Sequence, residues 1–539
     1  MILPRLKNYK IKKGSFTFSG NTTFWIGAGY RESAVKLFEL FFKNIKLKYE
    51  RNKSKADVVF DFTPSGKTEF YAVRIKEPGI IINYSGRLSL RNAIITLDGL
   101  LSNNKIRCCE IEDFSEWEYR GFMMDVARSY VPVNVIKYRI RELAEAKYNI
   151  LRLHLGDSDH YAMECAAYPL INEKAIRPFY KAAEMRGLVE YAAMYGIEII
   201  PEIDLPGHSQ YLLSIMPELR CETDEKSIWA VCITNDKVYD FIRNILGEIT
   251  AVFTSRYIHM GGDELCFYDL TDKYFWHTWD KCKRCQEHYT KNGYSDIYEL
   301  FYYYLRRVNE IVKSFNRTMI VWNDGIDISK SPDLPKDIII QFWRVASEGR
   351  GPSKGCNMAK FLEEGFKVIN SDYNETYIDL YVSEEKLITW NPQLRPETPD
   401  KYKNNILGGE MCAWEAHKHY ARTLSSAILL FSDRLWNSVP FRNSESIGVF
   451  VTNRILSRDA CDDFDIYKLF GGYILPLNGD EKYYKEKSSK DISAISHAID
   501  VLKNVPQKEK EEGFVIEALL ECLTFMYEDL QNGKSIHAS

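Results

Sequence analysis

From residue 120 onward the chain alternates short apolar runs with amphipathic stretches. Eight runs stand out: Gly121–Val126, Ile150–Leu155, Ile197–Glu202, Tyr257–Met260, Met319–Asn323, Ile338–Trp343, Lys367–Ser371 and Leu407–Trp414. Each has the length and aliphatic content of a strand covered on both faces. Between most of them apolar residues recur at helical spacing, as in Val133–Lys147, Pro178–Tyr195, Asp236–Phe253 and Asp296–Phe315. This alternation predicts a parallel sheet with crossover helices. Eight units over about 300 residues fit a closed (β/α)8 TIM barrel better than an open sheet. Only Asp324–Asp337 separates the fifth and sixth runs, and it contains Pro332 and Pro335. The fifth helix is therefore expected to be missing.

The flanking regions have other rhythms. In residues 1–112, Thr17-Phe18, Thr23–Ile26, Ala56–Phe62 and Gly79–Asn83 are strand-like, and Glu32–Lys43 and Arg91–Leu101 suit helices. They predict a small α+β accessory domain without a chemical motif. The barrel is expected over 113–440, its last helix being Tyr420–Trp436. Residues 441–539 read as a helical C-terminal extension, with periodic stretches at Asp491–Lys503 and Glu511–Leu530. The charged run Lys508–Glu512 suits a solvated helix start.

A barrel requires catalytic groups at the C-terminal ends of several strands. Those ends carry Gly156-Asp157, Glu202-Ile203-Asp204 followed by Leu205-Pro206-Gly207-His208, Asp263-Glu264, Trp322-Asn323-Asp324, Trp343-Arg344 and Trp414-Glu415. Strand seven is followed by Asp372, Tyr373, Tyr377 and Asp379. The fourth end, Tyr257-Ile258-His259-Met260-Gly261-Gly262-Asp263-Glu264, is the most pointed. Two glycines allow a tight turn, and two carboxylates then share a confined site, where one is expected to stay protonated near neutral pH. Acids and tryptophans at strand ends describe an acid-lined aromatic cleft suited to a carbohydrate, whose CH faces stack on indole. Trp276 and Trp279 lack a strand-end position and read as packing.

Composition narrows the partners. The chain has 539 residues with a net charge of −4. No basic surplus points to nucleic acid, and no apolar or basic amphipathic stretch points to a membrane. The N-terminus has no apolar signal-like run, and the 12 cysteines are irregularly spaced. Reduced thiols in a cytoplasmic protein are expected. Cys282-Lys283-Arg284-Cys285 invites a metal site completed by Cys266 or His288. A single C-x-x-C is more often two cysteines on consecutive helix turns, so no metal and no cofactor are assigned.

Four blocks carry a resemblance. They are Tyr119–Arg128, Asn149–Leu155, Pro201–His208 and His259–Glu264, and in this order they resemble the signatures of glycoside hydrolase family 20, the β-N-acetylhexosaminidases. Strands five to eight continue the likeness more loosely. The resemblance implies an exo-acting, retaining hydrolase removing terminal β-linked N-acetylglucosamine, or N-acetylgalactosamine, from oligosaccharides or glycoconjugates. It implies substrate-assisted catalysis, in which the sugar's own 2-acetamido oxygen attacks the anomeric carbon to form an oxazolinium. By the match Glu264 is the general acid and later base, and Asp263 orients the acetamido N–H. Asp157 and His208 support Glu264, and Tyr377 bonds the acetamido oxygen. Arg120 and Asp379 grip sugar hydroxyls, and Trp322, Trp343 and Trp414 wall the pocket. Asp204 is either structural or involved directly, and Arg128 is expected to be an ion-pair partner.

The sequence departs from the family pattern at two places. Gly156-Asp157-Ser158-Asp159-His160-Tyr161 lacks the usual glutamine-glycine-tryptophan-arginine run. Glu415 follows Trp414 directly, and Ala416 stands where the family has an acid. Either Glu415 serves, or the sugar's 4- and 6-positions are read differently. Two rival readings stay open: a non-catalytic sugar-binding homologue, and a barrel glycosidase with a protein nucleophile, for which Glu202 and Glu410 are the candidates.

Overall fold

The computed structural model describes residues 3–439, apart from 43–44, 176, 224–228, 266, 269–273, 276–278, 296–297, 331, 345–356, 379–383, 394–397 and 415–423, together with residue 500. The expected helical extension over 441–539 lies outside the described residues.

The eight barrel strands are Tyr119–Asp125, Ile150–Asp157, Glu198–Ile203, Tyr257–His259, Thr318–Trp322, Ile339–Phe342, Lys367–Asn370 and Ile406–Ala413. Each neighbour pair is parallel, and the eighth strand closes on the first, with Gly408 beside Tyr119 and Ala413 beside Met124. Every residue of the first, second and eighth strands is buried, because the barrel core covers one face and the helices cover the other.

The outer helices follow the sequence periodicity. Asp236–Val252 buries Val238, Phe241, Ile242, Ile245 and Ile249 on one stripe. The side chain of Asn235 caps it, accepting from the N–H of Lys237. Between strands five and six the described residues contain only the 3-10 turn Ile328–Lys330, as the two prolines require. Among the described residues no helix is long and apolar enough to cross a membrane.

The barrel floor is an apolar ring with one residue from each strand: Tyr119, Ile150, Ile200, Tyr257, Ile320, Ile339, Ile369 and Leu407. The small N-terminal domain carries a seven-stranded sheet in which Asn8–Thr17, Tyr71–Lys76 and Lys105–Asp113 join the strands expected from sequence. Its helix Arg87–Leu100 buries Arg91, whose guanidinium donates to the carbonyls of Tyr195 and Gly196 in the barrel at 3.1 and 2.9 Å. Buried Lys147 of the barrel meets Tyr71 and Asp113 of this domain.

Candidate active site

The fourth strand ends in a turn that only glycine permits. Gly261 has φ +66°, and a Cβ there would lie 1.8 Å from Oδ1 of Asp204 and 2.7 Å from its Cα. That close approach lets the N–H of Gly262 donate to Asp204 Oδ1 at 3.3 Å. Two residues on, Glu264 itself has φ +50°. A left-handed backbone costs a residue with a Cβ about 1–2 kcal/mol. It is fixed here by the Glu264 N–H, which donates to Asp324 Oδ2 at 2.8 Å. The outcome is two adjacent carboxyls in unlike settings: Asp263 is buried, while the Glu264 side chain keeps 32% of its surface open.

His208 stands beside both acids, also on a left-handed backbone, with φ +47°. Its Nε2 lies 3.4 Å from Glu264 Oε2 and 3.8 Å from Asp263 Oδ2. Its Nδ1 faces Asp157 Oδ1 at 3.2 Å. The other oxygen of Asp157 accepts from His154 Nε2 at 2.7 Å and pairs with Arg128 at 2.8 Å. Arg128 also reaches Asp125 at 3.3 Å, and its guanidinium lies over the Trp414 ring.

These contacts set the protonation pattern. Burial disfavours the charge on Asp157, but Arg128 and His208 outweigh it and hold the carboxyl well below its usual range. Burial likewise opposes the charge on His208, yet Asp204 and Asp157 push its imidazolium well above the ordinary histidine value. Asp204, buried among Asp157 and Glu202, is pushed up to about 6. Burial and the neighbouring Asp204 raise Asp263 well above a normal carboxyl. Burial acts on Glu264 as well, but His208, then Arg344 and Arg128, hold it below its usual value. Of the two acids, Asp263 is thus the one whose surroundings favour the proton, and Glu264 the one whose surroundings favour the charge.

An aromatic wall faces the pair. Trp343 stacks on Tyr377 with ring centroids 6.1 Å apart and planes within 10°. Trp322 lies edge-on to Trp343 at 6.3 Å and tilted to Trp414 at 6.1 Å. The indole N–H groups orient two of the rings: Trp343 donates to Asp324 Oδ1 at 2.9 Å and Trp322 to Glu202 Oε1 at 3.1 Å. Asp324 thus aims both Glu264 and Trp343. Among the described residues, no hydrogen-bond partner meets Asp263 Oδ1.

Beneath the wall lies a fully buried ionic layer. Arg152 pairs with Glu202 and Glu410. His259 reaches Glu202 at 3.0 Å, and Tyr119 and Gln341 donate to Glu410 at 2.7 and 2.6 Å. Both glutamates are consumed here, in the middle of the barrel rather than at its mouth.

The structure brings together Glu264, Asp263, His208 and Asp157, with Tyr377, Trp322, Trp343 and Trp414 around them. Arg120 is a correction. It sits at the N-terminal end of the first strand, so it points to the barrel's bottom. There its guanidinium donates to Glu69 at 2.6 and 2.7 Å, to the carbonyls of Trp117 and Lys147, and to Ser115. Arg128, beyond the strand's C-terminal end, is the arginine of this block that lies at the mouth. Asp379 and Glu415 lie outside the described residues.

Asp324, Arg344 and Trp229 join the site without a role assigned from the sequence. The first two sit at strand ends, a position that already marked the acids. Trp229 had no sequence signal: its ring lies 4.5 Å from that of His208, and its Nε1 donates to the Glu264 carbonyl at 3.2 Å. Trp279 is buried packing, as expected.

Comparison with known proteins agrees with this geometry. Residues 117–431 match the model of the glycosyl hydrolase family 20 catalytic domain, and residues 1–114 match that family's domain 2. A beta-hexosaminidase of Vibrio furnissii is 26% identical over 460 residues, covering 77% of this chain and 72% of that protein. Beta-hexosaminidase subunit A1 of Dictyostelium discoideum is 29% identical over 343 residues, covering 60% of this chain and 59% of that protein. The structure of a family 20 exo-β-N-acetylglucosaminidase from Vibrio harveyi, in complex with N-acetylglucosamine, superposes with a TM-score of 0.71 at 21% identity. The match covers 84% of this chain and 77% of that one. With both family domains matched in order and the strand-end acids assembled at one barrel mouth, the chain belongs to glycosyl hydrolase family 20.

Proposed function

We propose that the chain is an exo-acting, retaining β-N-acetylhexosaminidase that cleaves terminal β-linked N-acetylglucosamine, or N-acetylgalactosamine, from oligosaccharides or glycoconjugates. The observation that carries this reading is the contrast within the carboxylate pair. Glu264 opens toward solvent, where a glycosidic oxygen enters, and Asp263 offers a buried acceptor with no hydrogen-bond partner among the described residues. A 2-acetamido N–H fits that acceptor.

In this mechanism the acetamido oxygen attacks C1 while Glu264 protonates the leaving oxygen, and the C1–O bond breaks. Asp263 holds the N–H and balances the charge of the oxazolinium. Glu264 then takes a proton from water, which opens the ring at C1 with retained configuration. Sugar binding also bears on the proton of the pair, because burial and Asp204 favour the neutral Asp263 carboxyl. Donation of the acetamido N–H favours the Asp263 carboxylate, so its proton is released. His208 Nε2, within 3.4 Å of one acid and 3.8 Å of the other, relays it to Glu264. Arg128 is assigned to sugar hydroxyls and Tyr377 to the acetamido oxygen, with Trp322, Trp343 and Trp414 as the aromatic wall beside the sugar.

A protein nucleophile would need a second carboxylate about 5 Å from the acid. Glu202 and Glu410 are instead locked to Arg152 in the ionic layer. A cytoplasmic location belongs to the same proposal, supported by the eight free cysteines among the described residues. The test is a panel of aryl β-glycosides with and without the 2-acetamido group, run beside an N-acetylglucosamine thiazoline inhibitor. Hydrolysis confined to the acetamido series, with tight thiazoline inhibition, is expected. Comparable turnover of plain glucosides and indifference to the thiazoline would sink the reading.

A further inference from the structure

Apart from the site, one cluster of side chains has chemistry of its own. Cys221, Cys232, Cys282 and Cys285 come from three separate segments, and their sulfurs all lie within 4.8 Å of one another. Cys282, Cys285 and Cys232 are buried, and Cys221 is half-buried. The C-x-x-C pair is thus completed by Cys221 and Cys232. Cys266 lies outside the described residues, and the His288 ring packs on Tyr303 at 4.3 Å.

The spacing between sulfurs is informative. Cys232 Sγ is 3.8 Å from Cys282 Sγ and 3.7 Å from Cys285 Sγ. A disulfide would need about 2.05 Å. Four sulfurs arranged tetrahedrally at about 2.3 Å from a zinc ion lie about 3.8 Å apart. A polar group lies beside the sulfurs: the Thr234 hydroxyl is 3.3 Å from the sulfur of Cys285. Four thiols with no metal would bury four weak donors against one another for no electrostatic gain, whereas four thiolates around a divalent ion leave a net charge of −2.

We propose that Cys221, Cys232, Cys282 and Cys285 bind one structural zinc ion that fastens the loop after strand three to the loop after strand four. Binding releases the four thiol protons and involves no redox change. All four positions are filled by protein, so the ion has no open site for substrate. Its place in the fold gives it a task. Cys232 follows Val231, whose N–H donates to the Pro206 carbonyl at 2.9 Å. Trp279, three residues before Cys282, donates from Nε1 to the Val231 carbonyl at 3.1 Å. Trp229, three residues before Cys232, packs on His208 and donates to the carbonyl of Glu264. The metal therefore anchors the segment that backs the histidine and the acid.

The experiment reads metal and does not depend on hydrolysis. Full-length protein, grown with zinc and purified under reducing conditions, is analysed by elemental mass spectrometry and by mercurial titration of its thiols. One zinc per chain is expected, released as the four thiols react. Replacement by cobalt(II) is expected to give the intense thiolate charge-transfer and tetrahedral ligand-field bands of a four-sulfur site. Cys282→Ser with Cys285→Ser should lower zinc at least about tenfold, while Cys108→Ser, in the remote N-terminal sheet, should keep it. If the double variant does not fold, the wild-type stoichiometry and cobalt spectrum still decide. Wild-type protein without stoichiometric metal, with these cysteines in disulfides, or with iron in place of zinc overturns the proposal.

Discussion

Replacing Asp263 by Asn keeps the side chain's shape and removes its charge, so it isolates what that charge does for a nucleophile carried by the substrate. Asp263 is buried beside Asp204, and its Oδ1 has no hydrogen-bond partner among the described residues. When the oxazolinium forms, a positive charge develops within about 4 Å of this carboxyl, worth about 4 kcal/mol at an effective dielectric of 20. Asn returns part of that through its amide dipole, leaving a loss of about 3–4 kcal/mol, or roughly 10²–10³ in kcat. The bound ground state loses only the difference between a charge-assisted and a neutral hydrogen bond, about 1 kcal/mol, so KM should move less than about tenfold. The assay is kcat and KM on aryl N-acetyl-β-glucosaminides spanning leaving-group pKa. A kcat loss below about tenfold, or a loss carried wholly by KM, would refute the assignment.

Glu264→Gln should lower kcat by about 10²–10⁴ on a substrate with a poor leaving group, and by much less in the bond-breaking step of a dinitrophenyl glycoside, which needs no acid; pre-steady-state release of the phenol checks this. Arg120→Met should cost about 3 kcal/mol of stability, because the largely covered Glu69 loses its guanidinium and keeps mainly the Asn92 amide, while KM stays within about twofold; a lowered Tm with intact KM is the signature. Arg128→Lys keeps the charge but cannot hold Asp125 and Asp157 together, so kcat/KM should fall about tenfold or more in a folded protein. His208 is protonated in the native site and held well above its unfolded value near 6.5. Its contribution to stability is thus present below about pH 6.5 and lost as pH rises through the native value, with a slope near 1.4 kcal/mol per pH unit. Calorimetric scans from pH 6 to 9 should show His208→Gln flattening that alkaline decline, and an unchanged slope would count against the charged imidazole.

Much of this site was legible in one dimension. Each barrel strand lies within two residues of an apolar run in the sequence, because a strand buried on both faces is mostly aliphatic, its few polar residues being paired with one another, as Arg152 is with Glu202 and Glu410. The acids and tryptophans beyond those runs had to gather at one rim, since parallel strands all end on the same side. The resemblance, by contrast, does not place Arg120: the block Tyr119–Arg128 spans a whole strand, and its start lies at the opposite end of the barrel from its last residue. Arg120 and Arg128 look alike in sequence, yet one fixes the two domains together and the other pairs with Asp157 at the mouth.

The sequence alone therefore determined the barrel and the order of its strands, and it marked Asp263-Glu264 as the proposed centre of the chemistry, because periodicity and a glycine turn are local. The tertiary structure decided what depends on distant groups meeting. Burial, and then Asp204, 59 residues before Asp263, raise that acid's proton affinity. Asp324 aims Glu264 and Trp343 from another strand end. Glu202 and Glu410 are tied to Arg152 and removed from the chemistry. Cys221 and Cys232 turn an ordinary C-x-x-C into a four-sulfur cluster. Charge, proton affinity and metal coordination all fall off over a few ångströms, and only the folded chain sets those distances.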